Sequence, residues 1–306
     1  MPPAGSTNSA SLTSARGEPE AVRLASGAHL RVGADEQPYD YVLLPYPPVT
    51  PTEGKLASVN VLRESFAMMG VEEEGMRIVD GVIQWLGSGR TVWGIKYRGP
   101  DEPMSWEFYF YHRDRPGREL TLDGVLDSVA PHLEFSAELD RPVDWLMFSF
   151  EFGPEELKTR TVPHVSLYVR DSNLSYDLIG SDLVATNLYL FYDTSTDTIP
   201  LLQRIHSLVH FTGEGNQLGV LMPPVYYRCR TVCVANKRQY DALYFSRTSQ
   251  RGLHRFLEAF EWPEHLRRYM ESNREGFDHL LWDIGYDFRL SGGDIQWGKS
   301  GFYGYF

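Results

Sequence analysis

The chain of 306 residues is 42% hydrophobic, which is enough for one large domain with a substantial core. Its net charge of −12 argues against bulk nucleic-acid binding, because a nucleic-acid surface must be basic. With no apolar run near the roughly 18 residues that span a membrane, and no secretion signal at its start, the sequence predicts a cytoplasmic protein without membrane insertion.

The first part of the chain is predicted to be irregular. Residues 1–35 are rich in Ser, Ala, Gly and Pro without a sustained period, which predicts a flexible tail. Residues 36–54 contain five prolines, which predict an extended lead-in because proline cannot continue a helix. Hydrophobic periods begin at residue 55, and we expect a single barrel domain over residues 55–306.

Helical and extended patterns alternate through that domain. Apolar residues spaced three and four apart predict helices, and alternating apolar and polar residues predict strands. The predicted helices are 55–70, 73–86, 120–135, 198–211, 250–262 and 264–281. The predicted strands are 90–98, 106–113, 144–152, 164–170, 186–193, 218–222, 227–235 and 240–247. A closing hairpin over 283–306 follows, with its turn at Gly292-Gly293.

The order of these elements favours an antiparallel sheet. Two strands separate successive helical stretches, whereas parallel βαβ units would place one strand there. Antiparallel strands with one apolar face and one polar, Tyr-rich face most naturally curl and close. We therefore predict an α+β fold: a closed antiparallel β-barrel of about ten strands, built from repeated α-α-β-β units with helices outside. Closure must join the 90–113 hairpin to the 283–306 hairpin.

Parts of the sequence resemble a known family. Gly70-Val71, the helix after them, and Arg90 at the head of a strand with Gly94 look like the first repeat of the cyanobactin-type peptide prenyltransferases. These belong to the ABBA-type aromatic prenyltransferases. The run Gly301-Phe302-Tyr303-Gly304-Tyr305 is similar to their closing aromatic strand. The resemblance implies a barrel with a polar interior that moves an allylic group from its diphosphate to an aromatic or peptide side chain.

Such a transfer needs three kinds of residue. Cations hold the diphosphate, aromatic faces shield the allylic cation, and a base accepts a proton. On the strand faces predicted to point inward, the candidate diphosphate-binding residues are Arg90, Lys96, Arg170, Arg228, Arg230 and Lys299. The candidate aromatic shield is Tyr109, Tyr168, Tyr303 and Tyr305. Glu107 shares a face with Tyr109 and is the candidate catalytic base.

Cofactor and metal motifs are sparse. There is no Asp-Asp-x-x-Asp motif, so we expect no tightly bound cofactor, and Mg²⁺ is compatible with the reaction without being required by any motif. The expected partners are an isoprenoid diphosphate and an aromatic small molecule or peptide. His206 and His210 have the spacing of metal ligands on a helix but lack a nearby third ligand. Cys229 and Cys233 are expected to be buried free thiols.

A second interpretation stays open at this stage. The same charged and phenolic residues could face solvent on an open sheet and pair across its strands. The composition equally suits a non-enzymatic protein whose aromatic concavity binds a hydrophobic ligand or a peptide. A closed barrel with Arg90, Arg228 and Lys299 pointing to a common centre would favour the enzyme.

Overall fold

Ten strands close into an antiparallel barrel within the residues that the structure describes. The structure is a computed structural model, and it describes residues 29–33, 46–112, 119–211, 217–291 and 294–306. In chain order the strands are β1 (Val92–Tyr97), β2 (Ser105–Tyr111), β3 (Glu134–Phe135), β4 (Trp145–Phe152), β5 (Thr161–Val162), β6 (Val165–Val169), β7 (Leu174–Ile179), β8 (Asp182–Asp193), β9 (Thr231–Asn236), β10 (Asp241–Thr248), β11 (Trp282–Ser291) and β12 (Asp294–Tyr305). Around the barrel the order is β1-β12-β11-β10-β9-β8-β7-β6-β4-β2, and β3 and β5 form a separate pair.

The helices lie on the outer side of this barrel. They are α1 (Val59–Met68), α2 (Glu72–Leu86), α3 (Leu122–Val129), α4 (Pro154–Thr159), α5 (Thr198–His206), α6 (Gln217–Leu221), α7 (Gln250–Ala259) and α8 (Glu264–Ser272). Local sequence explains several of their starts. Glu72, Glu73 and Glu74 complement the dipole in the first turn of α2. The side chains of Thr121 and Ser249 cap α3 and α7 by accepting backbone N–H bonds.

The first and last strands of the barrel pair with each other. In the β1–β12 ladder, Gly94 lies opposite Tyr303 and Lys96 lies opposite Gly301. This pairing confirms the predicted contact between the 90–113 hairpin and the closing hairpin. The closed antiparallel barrel with external helices confirms the predicted α+β fold.

The hydrophobic core lies between the outer face of the barrel and the helices. Trp106, Phe108 and Phe110 alternate along β2 on that face and are fully buried. The ring of Phe66 from α1 packs on Trp106 with 4.6 Å between ring centroids. The indole N–H of Trp106 donates to the Ser65 hydroxyl at 2.8 Å, so the one polar atom of this large side chain is satisfied. The opposite face of each strand is left to line the interior.

The predicted repeat is regular in three blocks and irregular in the middle. The pairs α1–α2, α5–α6 and α7–α8 each precede a two-strand hairpin. Between them, α3 and β4 are followed by the short α4 and then by four strands, β5 to β8, of which β5 and β7 were not predicted. Residues predicted as a strand over 218–222 instead form α6. The helices predicted over 120–135 and 264–281 end at Val129, just before Pro131, and at Ser272.

The amino-terminal predictions fall partly outside the described residues. This applies to residues 1–28 of the predicted tail and residues 34–45 of the tail and lead-in. Where it is described, the chain is attached to the domain: Arg31 forms a bridge with Leu56, and the Tyr46 hydroxyl donates to the carbonyl of Leu281 at 3.0 Å. A single domain over residues 55–306 remains a proposal. No helix in the described ranges combines the length and apolar character needed to cross a membrane.

Candidate functional site

The inward faces of the strands enclose a cavity with a volume of about 410 Å³. Strand alternation places Lys96 of β1, Glu107 and Tyr109 of β2, and Lys299 and Tyr303 of β12 on its wall. Residues between them in sequence face the helices and form the core. The barrel therefore separates an apolar outer layer from a polar, aromatic interior, as the alternating pattern predicted.

Five tyrosines form a continuous arc on the cavity wall. Each comes from a different strand of the barrel: Tyr168 from β6, Tyr189 from β8, Tyr244 from β10, Tyr303 from β12 and Tyr109 from β2. In that order, neighbouring ring centroids are 5.3, 6.3, 6.4 and 5.8 Å apart. Burial raises the pKa of all five phenols, so they are neutral at physiological pH. The arc presents aromatic faces and neutral hydroxyls to anything in the cavity.

Glycines on the neighbouring strands make room for two of these rings. A Cβ atom at Gly94 would lie 2.7 Å from the Tyr303 ring, and one at Gly285 would lie 2.2 Å from the Tyr244 ring. Both glycines lie directly opposite their tyrosine in the ladder. Glycine is needed at both positions because the aromatic ring lies too close to the backbone to leave room for a Cβ atom. We call these two positions the glycine seats.

A buried lysine bridges two facing carboxylates at one side of the cavity. The β2–β4 register places Glu107 directly opposite Glu151, an arrangement that is unfavourable for like charges. The Lys96 ammonium lies between them, donating to Glu107 Oε2 and, at 2.7 Å, to Glu151 Oε2. The side chains of Lys96 and Glu107 are only 6% and 8% exposed. Burial alone would lower the pKa of Lys96, but the two carboxylates hold its pKa well above the ordinary value.

Both oxygens of the Glu107 carboxylate accept hydrogen bonds. Besides the ammonium, it accepts hydrogen bonds from the Tyr109 hydroxyl at 2.6 Å and from the Ser149 hydroxyl at 2.5 Å. Burial alone would raise the pKa of Glu107, but the charge and hydrogen bond of Lys96 bring its pKa below the ordinary value. Glu107 is therefore an ionised group and a weak base in this structure.

A second buried ion pair lies elsewhere on the cavity wall. Lys237 Nζ donates to Asp287 Oδ1 at 2.7 Å and to the Tyr244 hydroxyl at 2.8 Å. Burial alone would lower the pKa of Lys237, but Asp287 raises it above its ordinary value. This pair fixes one member of the tyrosine arc, in the same way that Glu107 fixes Tyr109.

Lys299 differs from both of these lysines. Its amine makes no hydrogen bond within the described part of the chain, and its nearest carboxylate oxygen is Glu151 Oε2 at 3.8 Å. Burial and the neighbouring Lys96 lower the pKa of Lys299 to about 8, and repulsion from Lys237 adds to this, despite the attraction of Glu151. At pH 7 about a tenth of this amine is therefore neutral.

Six of the eleven predicted site residues lie together on the cavity wall: Glu107, Lys96, Lys299, Tyr109, Tyr168 and Tyr303. Tyr305, which was predicted for the shield, is 1% exposed but does not line the cavity. It lies opposite Val92, the first residue of β1, so it is at the end of the barrel wall. The chemical roles of the six residues remain predictions.

The four predicted arginines lie elsewhere, and their predicted inward placement is wrong. Arg90 precedes β1 and donates to the carbonyl of Leu86 at the end of α2, at 3.2 Å. Arg170 follows β6 and pairs with the exposed Asp144 at 3.1 Å. The common reason is that the strands are shorter than predicted, so that these side chains are no longer governed by strand alternation.

The same correction applies to the two arginines before β9. Arg228 and Arg230 were predicted within a strand over 227–235, but β9 begins at Thr231. Both residues are exposed, and Arg230 pairs with Asp193 at 2.5 Å. Arg90, Arg228 and Lys299 therefore do not point to a common centre.

The cavity residues that were not predicted include Glu151, Tyr189, Lys237, Tyr244 and Asp287. Glu151 could have been found, because it alternates with Met147 and Ser149 along a predicted strand. Tyr189 and Tyr244 also lay on predicted strands. The sequence offered no comparable signal for Lys237, which falls in the turn predicted between two strands.

The residues present do not form a recognisable metal centre. Across the described ranges, no three His, Cys, Asp or Glu side chains lie close enough together to hold a metal ion. The helical spacing proposed for His206 and His210 is not realised, because α5 ends at His206. Cys229 and Cys233 are both buried and free, as predicted.

The comparisons with known proteins are distant. No family model matches the chain. A putative JmjC domain-containing protein of Acanthamoeba polyphaga mimivirus is 24% identical over 273 residues, covering 74% of this chain and 43% of the viral protein. The chain thus spans less than half of that relative's length. A solved structure of a 6-dimethylallyl tryptophan synthase is similar with a TM-score of 0.31 and 12% identity, over 78% of this chain and 77% of the other.

Proposed function

We propose that the chain is a prenyltransferase that moves an allylic group from its diphosphate to an aromatic or peptide side-chain acceptor. The observation that carries the proposal is that the arc of five tyrosines and three lysines line one barrel cavity. The element order that resembles the ABBA-type prenyltransferases supports it, and a peptide acceptor would correspond to the cyanobactin type.

The tyrosine arc would protect the reactive intermediate. When the bond between the allylic carbon and the diphosphate oxygen breaks, the carbon is left with a positive charge. Aromatic faces attract such a charge by about 0.5–2 kcal/mol each and keep water away from it. Because the five phenols are neutral and closely spaced, they can surround a short allylic chain without presenting an anionic nucleophile.

The lysines would hold the diphosphate as it leaves. Lys299 is the best placed to make a new contact, because Lys96 and Lys237 already donate to carboxylates. An anion beside Lys299 would favour its ammonium form and raise its pKa. Mg²⁺ bound to the diphosphate with one or two carboxylates is compatible with this arrangement.

Glu107 is the proposed proton acceptor. After the acceptor ring bonds to the allylic carbon, its ring carbon must lose a proton to restore aromaticity. Such a cationic intermediate is strongly acidic, so even a carboxylate with a lowered pKa can accept the proton. The three hydrogen bonds that Glu107 accepts hold it in place for this step.

A pair of variants at one tyrosine tests the proposal. The protein is incubated with dimethylallyl or geranyl diphosphate and aromatic or peptide acceptors, and products are measured by mass spectrometry. Tyr189→Phe keeps the aromatic face and should retain activity within a few-fold. Tyr189→Leu removes the face and should lower kcat about tenfold, which corresponds to about 1.4 kcal/mol. Equal activity of both variants, or no product with any donor, would contradict the proposal.

The charge balance favours a second candidate, a ligand-binding protein without catalysis. The cavity lining contains four basic residues, the three lysines and Arg247, against six acidic residues, so it has no excess positive charge for a diphosphate. Titration calorimetry with inorganic diphosphate distinguishes the candidates. Binding that is lost in Lys299→Ala supports the transferase. Binding of apolar aromatic ligands without any diphosphate affinity supports the second candidate.

A further inference from the structure

The three lysines in the cavity are not equivalent. The chain has five lysines, and three of them, Lys96, Lys237 and Lys299, line this one cavity. Lys96 and Lys237 each donate a hydrogen bond to a carboxylate at 2.7 Å. Lys299 makes no such bond among the described residues, so its lone pair is not committed to a partner once a proton leaves.

The surroundings of Lys299 favour loss of that proton. The charged groups that face it come from four other parts of the barrel: Lys96 of β1, Glu151 of β4, Lys237 beyond β9 and Asp287 of β11. Both carboxylates are already held by other cations, so they attract Lys299 less than their charge alone would suggest. An amine that is largely shielded from water and lies among ammonium ions is an arrangement that activates lysine as a nucleophile.

We propose that Lys299 is a nucleophilic amine that captures an aldehyde or ketone inside the cavity. Its neutral Nζ bonds to the carbonyl carbon while the carbonyl oxygen takes up a proton, giving a carbinolamine. Loss of that hydroxyl and of the remaining amine proton as one water molecule leaves an imine between Nζ and the ligand carbon. One amine and one carbonyl compound give one imine and one water, and no further reactant is needed.

The cavity also indicates which carbonyl compounds would react. An apolar or aromatic aldehyde fits an interior lined by the five tyrosines, and the volume of about 410 Å³ favours a small molecule. Lys96 and Lys237 remain ammonium ions because their carboxylate partners raise their pKa values. They therefore do not compete as nucleophiles, and their positive charges in the same cavity favour a developing alkoxide. The inference does not depend on prenyl transfer.

Reductive trapping tests the inference on the full chain. The protein is incubated with benzaldehyde and sodium cyanoborohydride at pH 7, and each lysine-containing peptide is quantified by mass spectrometry. A pKa of about 8 leaves a free-amine fraction about 300-fold larger than the ordinary value near 10.5 does. We expect Lys299 to be labelled at least tenfold faster than the exposed Lys158, with a pH midpoint near 8.

Two variants and a denatured control make the result decisive. Lys299→Arg keeps the positive charge but cannot form an imine, and Lys299→Met removes the charge. Either variant, once its thermal unfolding transition is shown to be intact, should lose the fast-labelled site. In denaturant, the rates at Lys299 and Lys158 should become equal. Labelling of native Lys299 no faster than Lys158, or a midpoint above pH 10, would overturn the inference.

Discussion

Lys96→Met is the substitution that most directly tests the charged side of the cavity. It keeps most of the aliphatic stem but removes the ammonium that lies between Glu107 and Glu151. Breaking a buried ion pair by removing one partner typically costs about 3–5 kcal/mol, because the other charge is left buried. Glu151 retains Arg98 at 3.3 Å and the Ser105 hydroxyl at 2.6 Å, so most of the cost falls on Glu107.

Protonation of Glu107 sets a ceiling on that cost. A carboxyl with an ordinary pKa of about 4.3 takes up a proton at pH 7 for about 3.7 kcal/mol. In Lys96→Met, burial without the ammonium raises the pKa of Glu107 in the folded state above its unfolded value. The loss in the free energy of unfolding therefore grows as pH rises above about 4.3. In the parent chain the pKa of Glu107 is lowered, so its stabilisation persists above that pH. The difference between the two proteins should therefore shrink by about 1.4 kcal/mol per pH unit from pH 7 toward pH 5.

Urea unfolding at pH 7 and pH 5 measures both quantities. Lys158→Met is the matched control, because Lys158 is 66% exposed and pairs with Glu155 on the surface of α4. That change should stay within about 0.5 kcal/mol at both pH values. The double variant Lys96→Met with Glu107→Gln should recover at least about 2 kcal/mol, since it removes the unpaired carboxylate. A loss below about 1 kcal/mol at pH 7, or a difference independent of pH, would refute the reasoning.

Two other positions give predictions of different kinds. Gly94→Ala should push the Tyr303 ring toward the cavity and destabilise the fold by about 1–3 kcal/mol, as measured by urea unfolding. As a control, Gly219→Ala places a Cβ atom with no other atom within 4 Å and should be neutral within about 0.5 kcal/mol. Equal effects of the two substitutions would contradict the role of the glycine seat. Asp283 has its pKa raised to about 6 by burial, although it accepts the Arg247 backbone N–H at 2.8 Å. Its folded-state pKa exceeds the unfolded value, so the parent chain should lose stability relative to Asp283→Asn as pH rises from about 4 to 6. Thermal unfolding against pH checks this, and parallel curves would count against it.

The sequence was informative wherever a regular strand carried its own alternation. Closure of the barrel, the pairing of its first and last hairpins, and the inward placement of Lys96, Glu107 and Tyr109 all follow from that periodicity. Strand ends were the weak point, because alternation holds only while the ladder continues. Arg90 and Arg228 lie just outside β1 and β9, so a short error in the boundary removed them from the cavity.

Periodicity alone could not predict which side chains pair between strands that are distant in sequence. The bridge from Lys96 to Glu151 spans 55 residues, and the pair formed by Lys237 and Asp287 spans 50. Each requires the register of the ladder, which a single sequence does not fix. Glu151 could still have been named as an inward residue, whereas its role as a partner of Lys96 depends on the opposed position of Glu107.

The shape of the cavity and its charge are coupled through the tyrosine arc. Tyr109 donates to Glu107, and Tyr244 accepts from Lys237, so each ion pair holds one ring of the arc in place. Tyr303 lies between these two rings, where it packs against its glycine seat and its hydroxyl interacts with that of Tyr109. A change in either ion pair should therefore alter the aromatic surface as well as stability. Lys96→Met should weaken the binding of an apolar aromatic ligand even at pH 5, where most of its stability cost has disappeared, because protonated Glu107 no longer accepts from Tyr109 as a carboxylate does.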